Sequence, residues 1–158
     1  MRFPAMAVLL VPLVAGCALE QPDGPVATAT WHASVGVDFN GTRDGTDNLH
    51  ATVPFDPAAR PAAEAYVGRD ITHPDDYTLH DLMVDWSAKT DIPFTTTYYD
   101  GLGYSIDAFD GIASASNATE GWFWQLSVDG ETAFEGMSTL VVRDGGAYKW
   151  TYTHAVWG

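Results

Sequence analysis

The stretch Gly121-Trp122-Phe123-Trp124-Gln125-Leu126-Ser127-Val128-Asp129-Gly130 limits what the rest of the chain can become. Trp122, Trp124, Leu126 and Val128 recur at every second position, with Phe123, Gln125 and Ser127 between them. A period of two belongs to a half-buried strand, because successive side chains leave opposite faces of the pleat. Two indoles and two aliphatic side chains on one face demand a cover, so a core is expected on that side. Asp129-Gly130 supplies the positive φ angles of a tight hairpin turn. Phe123 and Gln125 leave by the other face. Unless a helix covers them, they form an apolar-polar patch, and they are the ligand-binding residues the sequence suggests.

Further strands follow from the same alternation. Trp31, Ala33, Val35, Val37 and Phe39 form one, and Leu49, Ala51, Val53 and Phe55 a second, joined by a long tip that starts at Asn40-Gly41. Residues 56–77 contain Pro57, Pro61 and Pro74 and predict an irregular insertion, with room for a short helix near Pro61. Thr78 caps the one well-marked helix. Leu79, Leu82, Met83 and Trp86 give it a single apolar stripe, Asp85 and Lys89 stand four apart on its wet side, and Ile92-Pro93 stops it. Strands are then expected over Phe94–Tyr99, Tyr104–Phe109, Thr139–Arg143 and Tyr148–Thr153. A hairpin, a helix and several strands in that order predict an α+β domain. Its form is a β-grasp-like mixed sheet with one main helix packed on one face. An all-β sandwich with a helix in one connection is the alternative.

The N-terminus is an address. Arg2, an apolar run from Met6 to Val14, and Val14-Ala15-Gly16-Cys17 form an export signal whose end resembles the lipobox of prokaryotic lipoproteins. The run is too short for an ordinary spanning helix of about 20 apolar residues. Cys17 is the only cysteine, so it closes no internal disulfide, and the resemblance assigns it a lipid. This divides the chain into a signal peptide (1–16), a tether (17–30) poor in residues that could form a core, and a folded domain (31–158). The expected location is outside the cytoplasm, on a membrane surface.

Charge excludes one class of partner. With 7 Lys and Arg against 21 Asp and Glu, the net charge is −14 and no basic stripe offsets it, so nucleic acid is not an expected partner. High-salt adaptation and an ordinary acidic surface explain this balance equally well.

The order of motifs from Thr78 to Tyr152 resembles the domain-of-unknown-function family that also forms the C-terminal β-domain of transcobalamin and intrinsic factor. The likeness lies in Thr78-Leu79-His80-Asp81-Leu82, in Gly103-Tyr104-Ser105-Ile106 leading to Asp110-Gly111-Ile112, in Trp124 to Gly130, and in Leu140 to Gly145 followed by Trp150-Thr151-Tyr152. The chain departs from the family at Asp129, where Asn is usual, at Leu126, where an aromatic is common, and at Gly146, where Asp is usual. The resemblance implies a surface binding or accessory module. It also raises corrinoid binding with a partner chain, since the vitamin carriers hold cobalamin between this domain and a helical one.

The residues offer little chemistry. There is no Gly-x-Ser-x-Gly elbow and no P-loop. His73, Asp75, Asp76, His80 and Asp81 are dense in donors, but two His seven apart match no standard zinc spacing. Asp38, Asn40, Asp44, Asp47 and Asn48 lack EF-hand spacing and are ordinary turn residues. No catalytic residue, metal or cofactor is expected. Asn40-Gly41-Thr42 and Asn117-Ala118-Thr119 match the glycosylation sequon. The expected function is a lipid-anchored binding module that takes a small molecule or a protein at the cell surface. A structural or adhesive role is the alternative, and a carboxylate hydrolase ranks last.

Overall fold

The computed structural model describes residues 30–42, 48–58 and 76–158. The leader, most of the tether, the tip residues Asp44 and Asp47, and His73 and Asp75 lie outside them, as does most of the 56–77 insertion. In chain order the elements are β1 (Trp31–Asp38), β2 (Asn48–Phe55), α1 (Leu79–Thr90), β3 (Phe94–Tyr99), β4 (Gly103–Phe109) and β5 (Ile112–Ala113). They continue with β6 (Ala115–Ser116), β7 (Glu120–Val128), β8 (Glu131–Thr132) and β9 (Ala147–Val156).

A six-stranded sheet runs β2-β1-β9-β7-β6, with β8 also on β7. Its centre is parallel: β1 pairs with β9 from Ser34↔Ala147 to Asp38↔Thr151. The β1–β2 and β7–β9 pairs are antiparallel. The mixed sheet and, among the described residues, a single helix are as expected. The strands after the helix, however, do not all join that sheet: β3, β4 and β5 form an antiparallel sheet of their own.

Helix α1 starts where the sequence places it. Asp81 reaches back so that the Thr78 N–H and hydroxyl both donate to its Oδ2, each at 2.8 Å. The next two free N–H groups find carbonyls further along the chain: Leu79 N donates to Leu140 O (2.8 Å) and His80 N to Met137 O (3.3 Å). Val142 N returns a bond to Tyr77 O (3.0 Å). This explains the expected strand at Thr139–Arg143, which is reduced to one bridge between Thr78 and Val141. Its backbone wraps the start of the helix instead of pairing with a neighbour strand. The expected Asp85–Lys89 pair does not form either. Asp85 accepts a hydrogen bond from the Tyr77 hydroxyl, while Lys89 Nζ donates to Thr52 O on β2 at 2.5 Å. Asp91 closes the helix in the left-handed region, its N–H on Ser87 O.

Phe109 is the hub of the core. Its ring meets Trp124 at 4.9 Å, Trp86 at 5.8 Å and Trp150 at 5.8 Å, all near edge-on, and Phe94 at 6.3 Å. It thus joins helix, small sheet and large sheet through one side chain. The polar tips of two core aromatics complete the joint: Trp124 Nε1 donates to Ile112 O (3.0 Å) and Tyr152 OH to Ala113 O (2.8 Å). At the β7–β8 turn, Asp129 and Gly130 both have positive φ, as the hairpin requires. The departure from Asn at this position has a partner, since Asp129 Oδ2 accepts from Arg143 Nη2 at 2.5 Å and Oδ1 from Ala147 N at 2.9 Å.

Phe109→Ala removes the ring that three layers share and is expected to cost about 3–5 kcal/mol in urea unfolding. Phe134→Ala, at a surface residue, should stay within about 0.5 kcal/mol. Equal costs would show that Phe109 is not the hub. Burial pushes the Asp85 carboxyl above its ordinary 3.8, the Tyr77 hydrogen bond opposes this, and the Asp81 carboxylate adds to it. Between 3.8 and the raised value, the folded chain holds a proton that the unfolded chain has released. This group therefore favours the fold at the acid end, and its contribution falls as pH rises through that window. Asp85→Asn should remove the fall, so the stability of the native chain relative to this variant decreases from pH 3.8 upward. Parallel stability curves would contradict it.

Candidate functional site

The site follows from how β7 uses its two edges. Thr119 O accepts from Trp157 N, and Asp129 N donates to Ala147 O, so the odd-numbered peptide groups of β7 face β9. The even-numbered ones face the other edge. There, Trp122 pairs with Ala115 of β6, and Leu126 O accepts from Ala133 N, just after β8, at 3.0 Å. Trp124 lies between. Its backbone N–H and C=O turn to an edge where no strand pairs with them among the described residues.

This gap opens into a cleft of about 370 Å³ between β7, β4 and the 133–137 loop. Trp124, Leu126 and Trp150 contribute its apolar floor, and Gln125, Ser105 and Glu135 its side-chain polar groups. Three large apolar side chains stand at its rim: Tyr99 is 50% exposed, Leu102 57% and Phe134 86%. The loop is held against β4 by bonds from Gly136 N to Leu102 O (2.8 Å) and from Met137 N to Tyr104 O (2.7 Å). That approach needs glycine, since a Cβ at Gly136 would lie 2.0 Å from Leu102 O. Gly103 is constrained likewise, with φ +89 and Ser138 Oγ 2.4 Å from where its Cβ would be.

Phe123 and Gln125 both line this cleft, on the strand face opposite Trp124. Helix α1 does not cover that face: its buried residues Leu79, Leu82, Met83 and Trp86 belong to the core on the Trp124 side. Phe123 also reaches a neighbouring groove of about 300 Å³ formed with Ser114, Ser116, Gly121 and Trp157. The other residues singled out in the sequence lie elsewhere. Asn40 occupies the turn after β1, and its Nδ2 donates to Tyr152 O at 3.2 Å. Asn117 is exposed in the loop between β6 and β7. His80 is buried, its ring tilted against that of Tyr104 at 4.7 Å. Cys17 lies outside the described residues. Among the described residues, no group of three or more His, Cys, Asp or Glu side chains is placed to hold a metal.

Sequence reasoning missed Tyr99, Leu102, Phe134 and Glu135. Phe134 carried one usable signal, as a lone aromatic in the polar and glycine-bearing run Glu131-Thr132-Ala133-Phe134-Glu135-Gly136.

No protein family and no curated protein sequence matches this chain. Solved structures do. Haptocorrin in complex with Cbi is similar over 79% of this chain, with a TM-score of 0.54 and 17% identity. The chain spans 26% of haptocorrin's length. A candidate metal-binding protein from Ruminococcus gnavus is similar over 79% of this chain and 98% of its own, with a TM-score of 0.46 and 15% identity. The resemblance to transcobalamin-like proteins read from the motifs is thus present at the level of the fold, in the part of haptocorrin that the chain matches.

Proposed function

We propose that this chain is a lipid-anchored binding module outside the cytoplasm, without catalytic activity, whose ligand enters the cleft between β4, β7 and the 133–137 loop. The observation that carries this reading is the cleft itself. Apolar side chains stand exposed at its rim, above a strand edge whose peptide group at Trp124 has no strand to bond. Exposed apolar groups gathered around a concavity gain from being covered, and an unsatisfied backbone pair gives the covering molecule a direction. The lining has one carboxylate, Glu135, and neither His nor Lys, a set suited to holding a molecule more than to moving protons. That carboxylate and the overall charge of −14 favour a neutral or cationic ligand.

Haptocorrin shares the fold and is described in complex with Cbi. A corrinoid has both features the cleft asks for: a broad apolar face and peripheral amides that can pair with a peptide group and with Gln125. The exposure of Phe134 supports a second reading, in which the same rim docks onto a surface protein. The anchor rests on Val14-Ala15-Gly16-Cys17. Two acyl chains there would hold the module far better than one, at about 0.8 kcal/mol per buried methylene.

Titration with cobinamide and with cobalamin, followed by corrin absorbance and tryptophan emission, is expected to saturate for at least one of them. Phe134→Ala should weaken that binding about tenfold, the equivalent of about 1.4 kcal/mol. Flat titrations with both remove this ligand class. In that event, a partner recovered from native membranes by the unaltered chain but not by Phe134→Asp assigns the cleft to docking. Recovery by both, or by neither, takes the function away from the cleft. For the anchor, Cys17→Ser should shift the protein from the membrane fraction to the soluble one. An unmodified Cys17 thiol in protein from the native host would refute the lipid.

A further inference from the structure

The two sequons sit in loops of different construction. At the first, every relevant group is engaged within the fold. Asn40 has a φ of 50°, its N–H donates to Asp38 Oδ1 (3.0 Å), and its side-chain Nδ2 donates to Tyr152 O (3.2 Å). The Thr42 hydroxyl, two residues on, donates to Phe39 O at 2.5 Å and so is turned away from the Asn40 amide. Modification of this nitrogen would place a sugar on the group that bonds the end of β1 to β9.

At the second, the loop presents the amide. Asn117 Oδ1 accepts three hydrogen bonds, from Thr119 N (2.8 Å), Thr119 Oγ1 (3.1 Å) and Glu120 N (3.0 Å). Asn117 N donates to Glu120 O at 2.9 Å, which fixes the loop's backbone. Three donors on the oxygen orient the carboxamide with Nδ2 directed away from them, on an exposed residue whose Nδ2 makes no hydrogen bond among the described residues. The hydroxyl that the motif requires is already bonded to the asparagine side chain. The surroundings also leave room. Trp157 is tied to the loop by its N–H on Thr119 O (2.8 Å), and its ring lies over Gly121, where a Cβ would be 2.3 Å from it. The indole is 43% exposed and borders the groove of about 300 Å³ with Ser114 and Ser116. A sugar on Asn117 would meet a flat apolar surface and hydroxyls there.

We infer that Asn117 is a site of N-glycosylation and that Asn40 is not, an inference that rests on the export reading of the leader. The donor is a lipid-linked oligosaccharide activated through phosphate, and a membrane transferase provides the base. Asn117 Nδ2 bonds to the anomeric carbon of the sugar, and the bond from that carbon to the phosphate oxygen breaks. The lipid phosphate leaves with the electron pair, and the amide gives one proton to the base. The product is a secondary amide with the Asn117 carbonyl and its three hydrogen bonds intact.

The test is glycopeptide mass spectrometry of the full chain isolated from its native host, together with Thr119→Ala and Thr119→Ser. The expected result is a glycan mass on the peptide carrying Asn117 and none on that carrying Asn40. Thr119→Ala should lose the glycan and Thr119→Ser, which keeps the hydroxyl, should retain it. Unmodified Asn117 in protein whose leader has been removed would overturn the inference and leave export standing. Unmodified Asn117 in protein with an intact leader would overturn both. A glycan on Asn40, or one on Asn117 that survives Thr119→Ala, would also overturn it.

Discussion

The parallel pairing of β1 with β9 is the constraint from which the rest of the molecule follows. Parallel neighbours cannot be joined by a hairpin, so the chain between them must leave the sheet and return across a face. Strands β2, β6, β7 and β8 stay with the large sheet, while helix α1 and the second sheet β3-β4-β5 form the part of the chain that lies off it. Such an excursion stays compact only if its parts are fastened to the sheet from which it departed. Phe109 provides the fastening on the apolar side, with edge-on contacts to Trp124 and Trp150 of the large sheet and Trp86 of the helix. The bonds of Trp124 and Tyr152 to β5 provide it on the polar side.

The cleft is a by-product of how the returning segment is used. After β8 the chain could have continued along the edge of β7 and closed it. Instead it turns to β4, where Gly136 and Met137 bond the carbonyls of Leu102 and Tyr104, and then to the helix start, where Met137 and Leu140 accept from His80 and Leu79. A helix begins with N–H groups that have no partner of their own, and leaving them buried without one is costly. Satisfying them draws the 137–142 segment away from β7. What remains at Trp124 is a short length of bare sheet edge, too short for strand-to-strand aggregation and bounded at both ends by β6 and β8.

What could be seen in the sequence was local, and what could not was decided by partners far along the chain. Strand β7, the helix and the Asp129-Gly130 turn were legible because each is written in a local period or a backbone requirement: alternation at Trp122 to Val128, an apolar stripe at Leu79, Leu82, Met83 and Trp86, positive φ at the turn. The apolar stretch Thr139–Arg143 misled because it has strand composition, while the helix start decided its conformation. Asp85 and Lys89 have the spacing of an ion pair, but Tyr77 and Thr52 approach from outside the helix and take them. The split into two sheets was invisible for the same reason. Phe94–Tyr99 looks like any other strand, and only its long-range partners assign it to one sheet or the other. Of the cleft, Phe123 and Gln125 could be picked out from strand parity. The rim could not, because Tyr99 and Leu102 come from the β3–β4 turn and Phe134 from the loop after β8, two places that only the fold brings together.

Two phenylalanines stand at opposite extremes of burial. Phe109 is fully buried and touches every layer, so its surroundings leave little freedom to change. Phe134 is 86% exposed on a loop held by backbone bonds and by a glycine that tolerates no Cβ. Its position is therefore fixed by neighbours while its side chain supports none of them. A rim built in this way can be altered in shape or polarity without disturbing the core, because the contacts that hold the loop run through its peptide groups. The polar counterpart behaves alike: Trp124 gives its side chain to the core and its peptide group to the cleft. One residue thus couples the packed interior to the surface where a ligand would be read, and any movement of β7 against Phe109 would be felt at both.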